Sequence, residues 1–124
     1  MNVLETTEQL IAVFEAVRKT MEDASDDQDF IDREYNDLTH ALELVSFNAS
    51  EGYKLAKQLQ ENRLRRREAK NLKEALQPLY DLMNKNQSFF KELKNVHAAI
   101  ERTVHTQQNR KYRPRAREDL FSGG

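Results

Sequence analysis

The sequence predicts an all-α fold of about four helices, a helical bundle or long helical hairpin of coiled-coil character, followed by a disordered basic C-terminal tail. Three observations predict it. Apolar residues recur at steps of three and four over most of the first 108 positions, the spacing of one helix face. The 124 residues include only three Gly and two Pro, too few chain-breakers for a many-turned β sandwich or barrel. A third of the chain is charged (33%) against 38% hydrophobic, which suits long helices with one wet face, or a chain that completes its core by dimerising.

The first helix is expected to start at Thr6 or Thr7 and to bury Leu10, Ile11, Phe14, Val17 and Met21. The polar run Glu22 to Asp27 reads as its end, rich in caps for the next helix. That second helix runs from about Asp27 to Val45, with Phe30, Ile31, Leu38, Leu42 and Val45 inward and acids at its N-terminus, where the helix dipole favours them. Ser46 to Ser50 is a turn, with Asn48 or Ser50 as cap. A long third helix follows from about Ala49 to Met83. Its stripe includes Leu55, Leu59, Leu72, Leu76, Leu79 and Met83, and a kink or break is expected at Pro78. Asn84 to Ser88 is the best turn signal of the second half. The fourth helix spans about Ser88 to Gln107, with Phe89, Leu93, Val96, Ile100 and Val104 on one face. Residues 1–108 thus form one helical domain, and 109–124 a flexible basic tail without apolar periodicity. A homodimer is expected, because Leu72, Leu76, Leu79 and Met83 exceed what two short helices can cover.

Charge is divided in sequence. Residues 1–51 carry 13 acids and three basic residues, a net of −10; residues 52–124 carry 17 basic residues and eight acids, a net of +9. The formal total of −1 hides this. Like charges crowded on one segment repel unless opposite charge is near. The halves therefore either fold against each other or present two surfaces to two partners.

The densest basic cluster is Arg63-Leu64-Arg65-Arg66-Arg67-Glu68-Ala69-Lys70, followed by Lys73. Arg63, Arg66, Arg67 and Lys70 share a helix face, a stripe able to follow a phosphate backbone or an acidic protein surface. Guanidinium bonds two phosphate oxygens through its planar fork. The plainer reading is that these cations pair with the acidic half. The tail interleaves Arg110, Lys111, Arg113, Arg115 and Arg117 with Tyr112, as arms that fold onto nucleic acid do; the alternative is a solubilising tail. Its end, Asp119-Leu120-Phe121, resembles the bacterial sliding-clamp-binding pentapeptide (Gln, any residue, Asp or Ser, Leu, Phe), with Arg117 standing where that motif has Gln. The alternative is that Leu120 and Phe121 fold back onto the protein.

No catalytic signature is present. The absence of Cys excludes disulfides, thiolate nucleophiles and Cys-based zinc sites. There is no glycine-rich phosphate loop, nucleophile elbow or EF-hand spacing. His97, Glu101 and His105 share a helix face, but packed or exposed histidines are the plainer reading, and no metal or other cofactor is expected. Eight acids in the sixteen residues Glu22 to Asp37 have the density to imitate DNA, though capping and pairing explain most of them. The N-terminus has no basic n-region or long apolar stretch, so a cytoplasmic protein without membrane spans is expected.

The segments Asn48 to Leu55, Arg63 to Arg67, Leu76 to Leu79 and Tyr112 to Phe121 resemble small helical proteins encoded by phages and prophages of Gram-positive bacteria. The resemblance implies context, a phage accessory protein in a bacterial host cell acting on replication, transcription or host defence; it implies no activity. The expected function is non-enzymatic: binding nucleic acid or a nucleic-acid–protein complex through the basic stripe and tail. Alternatives are a protein-directed inhibitor of a host enzyme, of anti-CRISPR or clamp-binding type, and a coiled-coil scaffold.

Overall fold

The computed structural model describes residues 1–121. These are helical without a strand: α1 (Val3–Leu44), α2 (Ala49–Lys85), α3 (Gln87–Gln108) and a short 3-10 turn, Glu118–Leu120. Three long helices stand where four were expected, because the first two are one. The acidic run 22–29 holds no Gly or Pro, and an Asp or Ser costs at most about 0.7 kcal/mol relative to Ala inside a helix. Met21, Ala24 and Ile31 are buried on either side of and within that run, so packing carries the helix through it. The start also differs. Asn2, not a threonine, caps α1, its side-chain oxygen accepting from the Glu5 N–H at 3.0 Å. Thr6 and Thr7 turn their hydroxyls to carbonyls of the preceding turn instead.

Asn48 caps α2 as its sequence position suggests, accepting from the Glu51 N–H at 2.9 Å. Helix α2 passes through Pro78 without ending, and Pro78 lies on its exposed side. The interruption comes at Asn86, a single non-helical residue between α2 and α3. Its side-chain amide donates to the Leu82 carbonyl at 2.8 Å and so closes the last turn of α2.

Helix α2 runs antiparallel to α1, and so does α3. The order of contacts shows it: Asn62 meets Ile31, Lys73 meets Gln28, Phe90 meets Phe14 and His97 meets Thr7. Helices α2 and α3 therefore share a direction and form one broken arm packed along α1. They make almost no contact with each other. The molecule is a long hairpin, not a closed bundle.

The seam is periodic. Along α1 the covered positions include Phe14, Val17, Met21, Ala24, Gln28 and Ile31; along α2 they include Asn62, Arg66, Ala69, Lys73, Leu76 and Met83; along α3 they are Phe90, Leu93, His97, Ile100 and Val104. Steps alternate between three and four, a 3.5-residue period that keeps one line of side chains facing the opposite arm. Several residues expected in the core are exposed: Leu10, Phe30, Leu72, Leu79, Phe89 and Val96. Two helices side by side can cover only the strip between them, and these residues flank that strip. Phe90, not Phe89, is the buried aromatic at the start of α3, stacked on Phe14 at 5.1 Å.

Candidate binding surfaces

The two charge blocks meet across the hairpin. Arg65 pairs with Glu34 at 2.6 Å and Arg66 with Asp32 at 3.1 Å. Lys73 donates to Gln28 at 3.1 Å, and Lys94 of α3 lies 3.8 Å from Glu15. Each of these side chains is partly exposed, so each pair contributes about 0–1 kcal/mol and fixes alignment more than stability.

The basic stripe is largely engaged by its own chain. Arg63 donates through Nε and one Nη to Asn62 Oδ1 (3.2 and 2.8 Å) and lies over the Tyr35 ring at 3.7 Å. Arg66 and Lys73 face α1 as described. Lys70 reaches Glu74 on its own helix at 3.8 Å. Arg67 alone of the stripe makes no hydrogen bond, ion pair or ring contact among the described residues.

A polar node lies beneath these cations. Asn62 is fully buried (0% exposed). Its Nδ2 donates to the Ile31 carbonyl and to Glu34 Oε1, both at 2.9 Å, and its Oδ1 takes the two bonds from Arg63. Every polar atom of the side chain is satisfied, as a buried amide requires. The signal was present in the sequence: Asn62 and Arg66 are polar positions on a helix face that otherwise carries the apolar stripe of Leu55, Leu59, Ala69 and Leu76.

At the open end, Thr7 Oγ1 lies 2.9 Å from the Leu4 carbonyl and 2.8 Å from His97 Nδ1. Nε2–H donates to Glu101 Oε1 at 2.9 Å, and Nδ1 meets the Thr7 hydroxyl, accepting from it when the ring is neutral and donating to it when the ring is charged. Glu8 joins His97 and Glu101, with donor atoms within 4.8 Å of one another. His105 is not part of this group; it contacts Asn109. Thr7 and Glu101 already occupy both ring nitrogens, so the group serves as a polar clasp between α1 and α3.

The arm beyond Gln108 is different. Arg110, Lys111, Arg113 and Arg115 are exposed and have no acidic partner among the described residues, and with Tyr112 and Pro114 they line one shallow concavity. Only Arg117 is matched, holding the Asp119 carboxylate through two bonds at 3.0 and 2.8 Å. That pairing holds the Asp119 carboxyl below its ordinary range and raises the guanidinium. Phe121 rests on Tyr112, ring centroids 5.3 Å apart, and Leu120 is exposed. Contacts of the arm are local to it and to the end of α3. Positions 122–124 of the expected tail lie outside the described residues. Stripe and arm are well separated: about 40 residues of helix, on the order of 60 Å at 1.5 Å per residue, lie between Arg67 and Arg110.

No family model, curated protein or solved structure matches the chain. No helix of the described residues is long and apolar enough to cross a membrane.

Proposed function

We propose that the chain is a non-enzymatic binding protein whose hairpin, of antiparallel coiled-coil type, carries a cationic arm to a polyanionic partner, nucleic acid first. One observation carries the reading. Within the dense cluster of α2, Arg63, Arg65, Arg66 and Lys73 are engaged by α1 and Lys70 by Glu74, whereas Arg110, Lys111, Arg113 and Arg115 have no acidic partner among the described residues and are gathered around an exposed tyrosine. Guanidinium forks suit phosphate oxygens, and an exposed ring can stack on a base. Arg67 and Lys70, about 60 Å away, are a secondary contact only for a long ligand.

Salt tests it. Four phosphates neutralised on a duplex give a log–log slope of about −3.6. A mobility-shift series with double- and single-stranded DNA and RNA is expected to show such a slope for the full chain and no shift for a chain ending at Gln108. Absence of any shift near 50 mM salt overturns the reading.

A second reading has its own support. Leu120 and Phe121 are exposed at the tip of the arm, and Arg117 fixes the turn that presents them. A protein-directed role, with Asp119-Leu120-Phe121 as docking peptide for a host enzyme or sliding clamp, uses that tip. Calorimetry against a bacterial sliding clamp tests it, with Leu120→Ala and Phe121→Ala expected to abolish the heat.

A further inference from the structure

One face of the hairpin is apolar and the opposite face is not. Val13, Phe30, Leu72, Leu79, Leu82 and Phe89 are all between 43% and 58% exposed. They line two grooves on the same side of the seam. One, of about 360 Å³, lies among Val13, Leu79, Leu82 and Phe89; the other lies among Phe30, Leu72, Asp23, Asp27 and Arg65. Steps of seven connect the two, from Leu72 to Leu79 on α2 and from Val13 through Thr20 to Asp27 on α1. Continued past Asn86, the same step leads from Leu82 to Phe89. This is a second line with the 3.5-residue period of the internal seam, so what it fits is another helix pair of similar length. Across the hairpin the surface is polar: Arg18, Glu22, Asn84 and Lys91 line one stretch and Asp32–Arg66 another.

Area makes the same point. The chain exposes 10,094 Å², where a globular monomer of 14.6 kDa exposes about 6,900 Å². A standard interface needs about 800 Å² per partner, and the six apolar residues alone supply roughly 600 Å² at about 200 Å² for a full large side chain.

We propose that this face is the interface with a second copy of the chain, related by a two-fold axis parallel to the hairpin, so that two hairpins close a four-helix core. The pattern of the face selects the axis. Apolar residues crowd toward the Val13–Phe89 end, and Asp23, Asp27 and Arg65 stand further along. An axis along the hairpin lays apolar end on apolar end and sets α1 of each copy against α2 of the other. Asp23 and Asp27 then face the α2 stretch of the second copy that holds Arg65, already bound to Glu34, and Glu68, twice by symmetry. An axis across the hairpin would lay α1 on α1, bringing Asp23 near its own mate at mid-helix and the apolar end against the charged one. With the axis along the hairpin, both basic arms leave from one end. A bivalent grip on an anionic polymer follows if the arm reading holds; the interface itself does not depend on it.

The test needs no nucleic acid. Sedimentation equilibrium of the full chain is expected to give twice the 14.6 kDa chain mass. Leu79→Glu with Leu82→Glu is expected to give monomer. Leu82→Ser, a mild change at a site already exposed, is expected to weaken the dimer at least tenfold with the helical dichroism of its remaining dimer unchanged. Asn84→Glu on the opposite face is expected to leave the dimer intact. Because the chain has no cysteine, a single Gln108→Cys accepts one spin label per copy. A label separation short against the roughly 63 Å length of α1 fits the proposed axis. A monomer at 100 µM, an assembly of three or more copies, a dimer indifferent to all Leu79 and Leu82 changes, or a separation near the hairpin length overturns the proposal.

Discussion

Asn62 concentrates the specificity of the hairpin in one side chain. A buried amide with all its bonds satisfied stabilises little net, but leaving its partners unmatched costs about 1–3 kcal/mol. Asn62→Ala is therefore expected to lower the free energy of urea unfolding by that amount, since Ile31 and Arg63 lose a partner and a void opens. Asn62→Leu separates stability from register. It removes the polar demand and fills the seam, so the midpoint is expected to hold or rise. Amide exchange along α1 is expected to become less uniform, because a polar seam residue fixes which turn meets which. At the other end of the chain, Arg117 depresses the Asp119 pKa. A depressed carboxyl contributes stability that is present above its unfolded pKa, about 3.9, and is lost as pH falls through the folded value. The carbon-13 carboxyl shift of Asp119 is expected to titrate below the ordinary aspartate range in the native chain and to return to it in Arg117→Ala. The ion pair that holds the turn presenting Leu120 and Phe121 is thus present at neutral pH and is lost as Asp119 protonates, below the ordinary aspartate range.

At the scale of elements, α3 is the weakest link. It is held to α1 by the Phe14–Phe90 stack, the Thr7–His97–Glu101 clasp and the long Lys94–Glu15 pair, and hardly at all by α2. Phe90→Ala removes the main apolar contact, a loss of about 3–5 kcal/mol for a buried aromatic. It is expected to release α3 before α1 and α2, visible as early hydrogen exchange of residues 90–104 while protection around Asn62 persists. Helix α1 shows the opposite behaviour, with local preference overruled by packing. The stretch Glu22 to Asp29 reads as a cap-rich boundary, yet Ala24 is buried within it and lines a groove with Ala69. Ala24→Leu is expected to destabilise by about 1–3 kcal/mol through overpacking, read as a lower melting temperature. A cap signal ends a helix only when the next turn has nothing to bury.

The whole molecule is a rod with a divided surface. A globular chain of this length has a radius of gyration of about 14 Å, and scattering from the hairpin is expected to give a clearly larger value. The division of charge along the sequence becomes pairing across the hairpin at Glu34–Arg65 and Asp32–Arg66, while Arg110, Lys111, Arg113 and Arg115 of the arm have no acidic partner among the described residues. A stripe of Arg63, Arg66, Arg67 and Lys70 and an arm of Arg110 to Arg117 look alike as composition. They differ in what lies opposite: Tyr35 and Asp32 of α1 stand against the stripe, and among the described residues no acid stands against the first four cations of the arm.

Helical class, the Asn48 cap, the extents of the last two helices and the place where periodicity stops were all legible in the chain, because each depends on neighbours within a few turns. So was the list of apolar residues able to face a partner. What the chain alone could not say is which of them do. Phe30, Leu72, Leu79 and Phe89 sit at helical spacing like any core residue, and only the antiparallel pairing of α1 with α2 and α3 leaves them outside. The fusion of the first two helices and the capture of Arg65 and Arg66 by α1 have the same origin. Each is settled by contacts between residues 30 to 90 positions apart, whose packing energy outweighs local preferences of a few tenths of a kilocalorie.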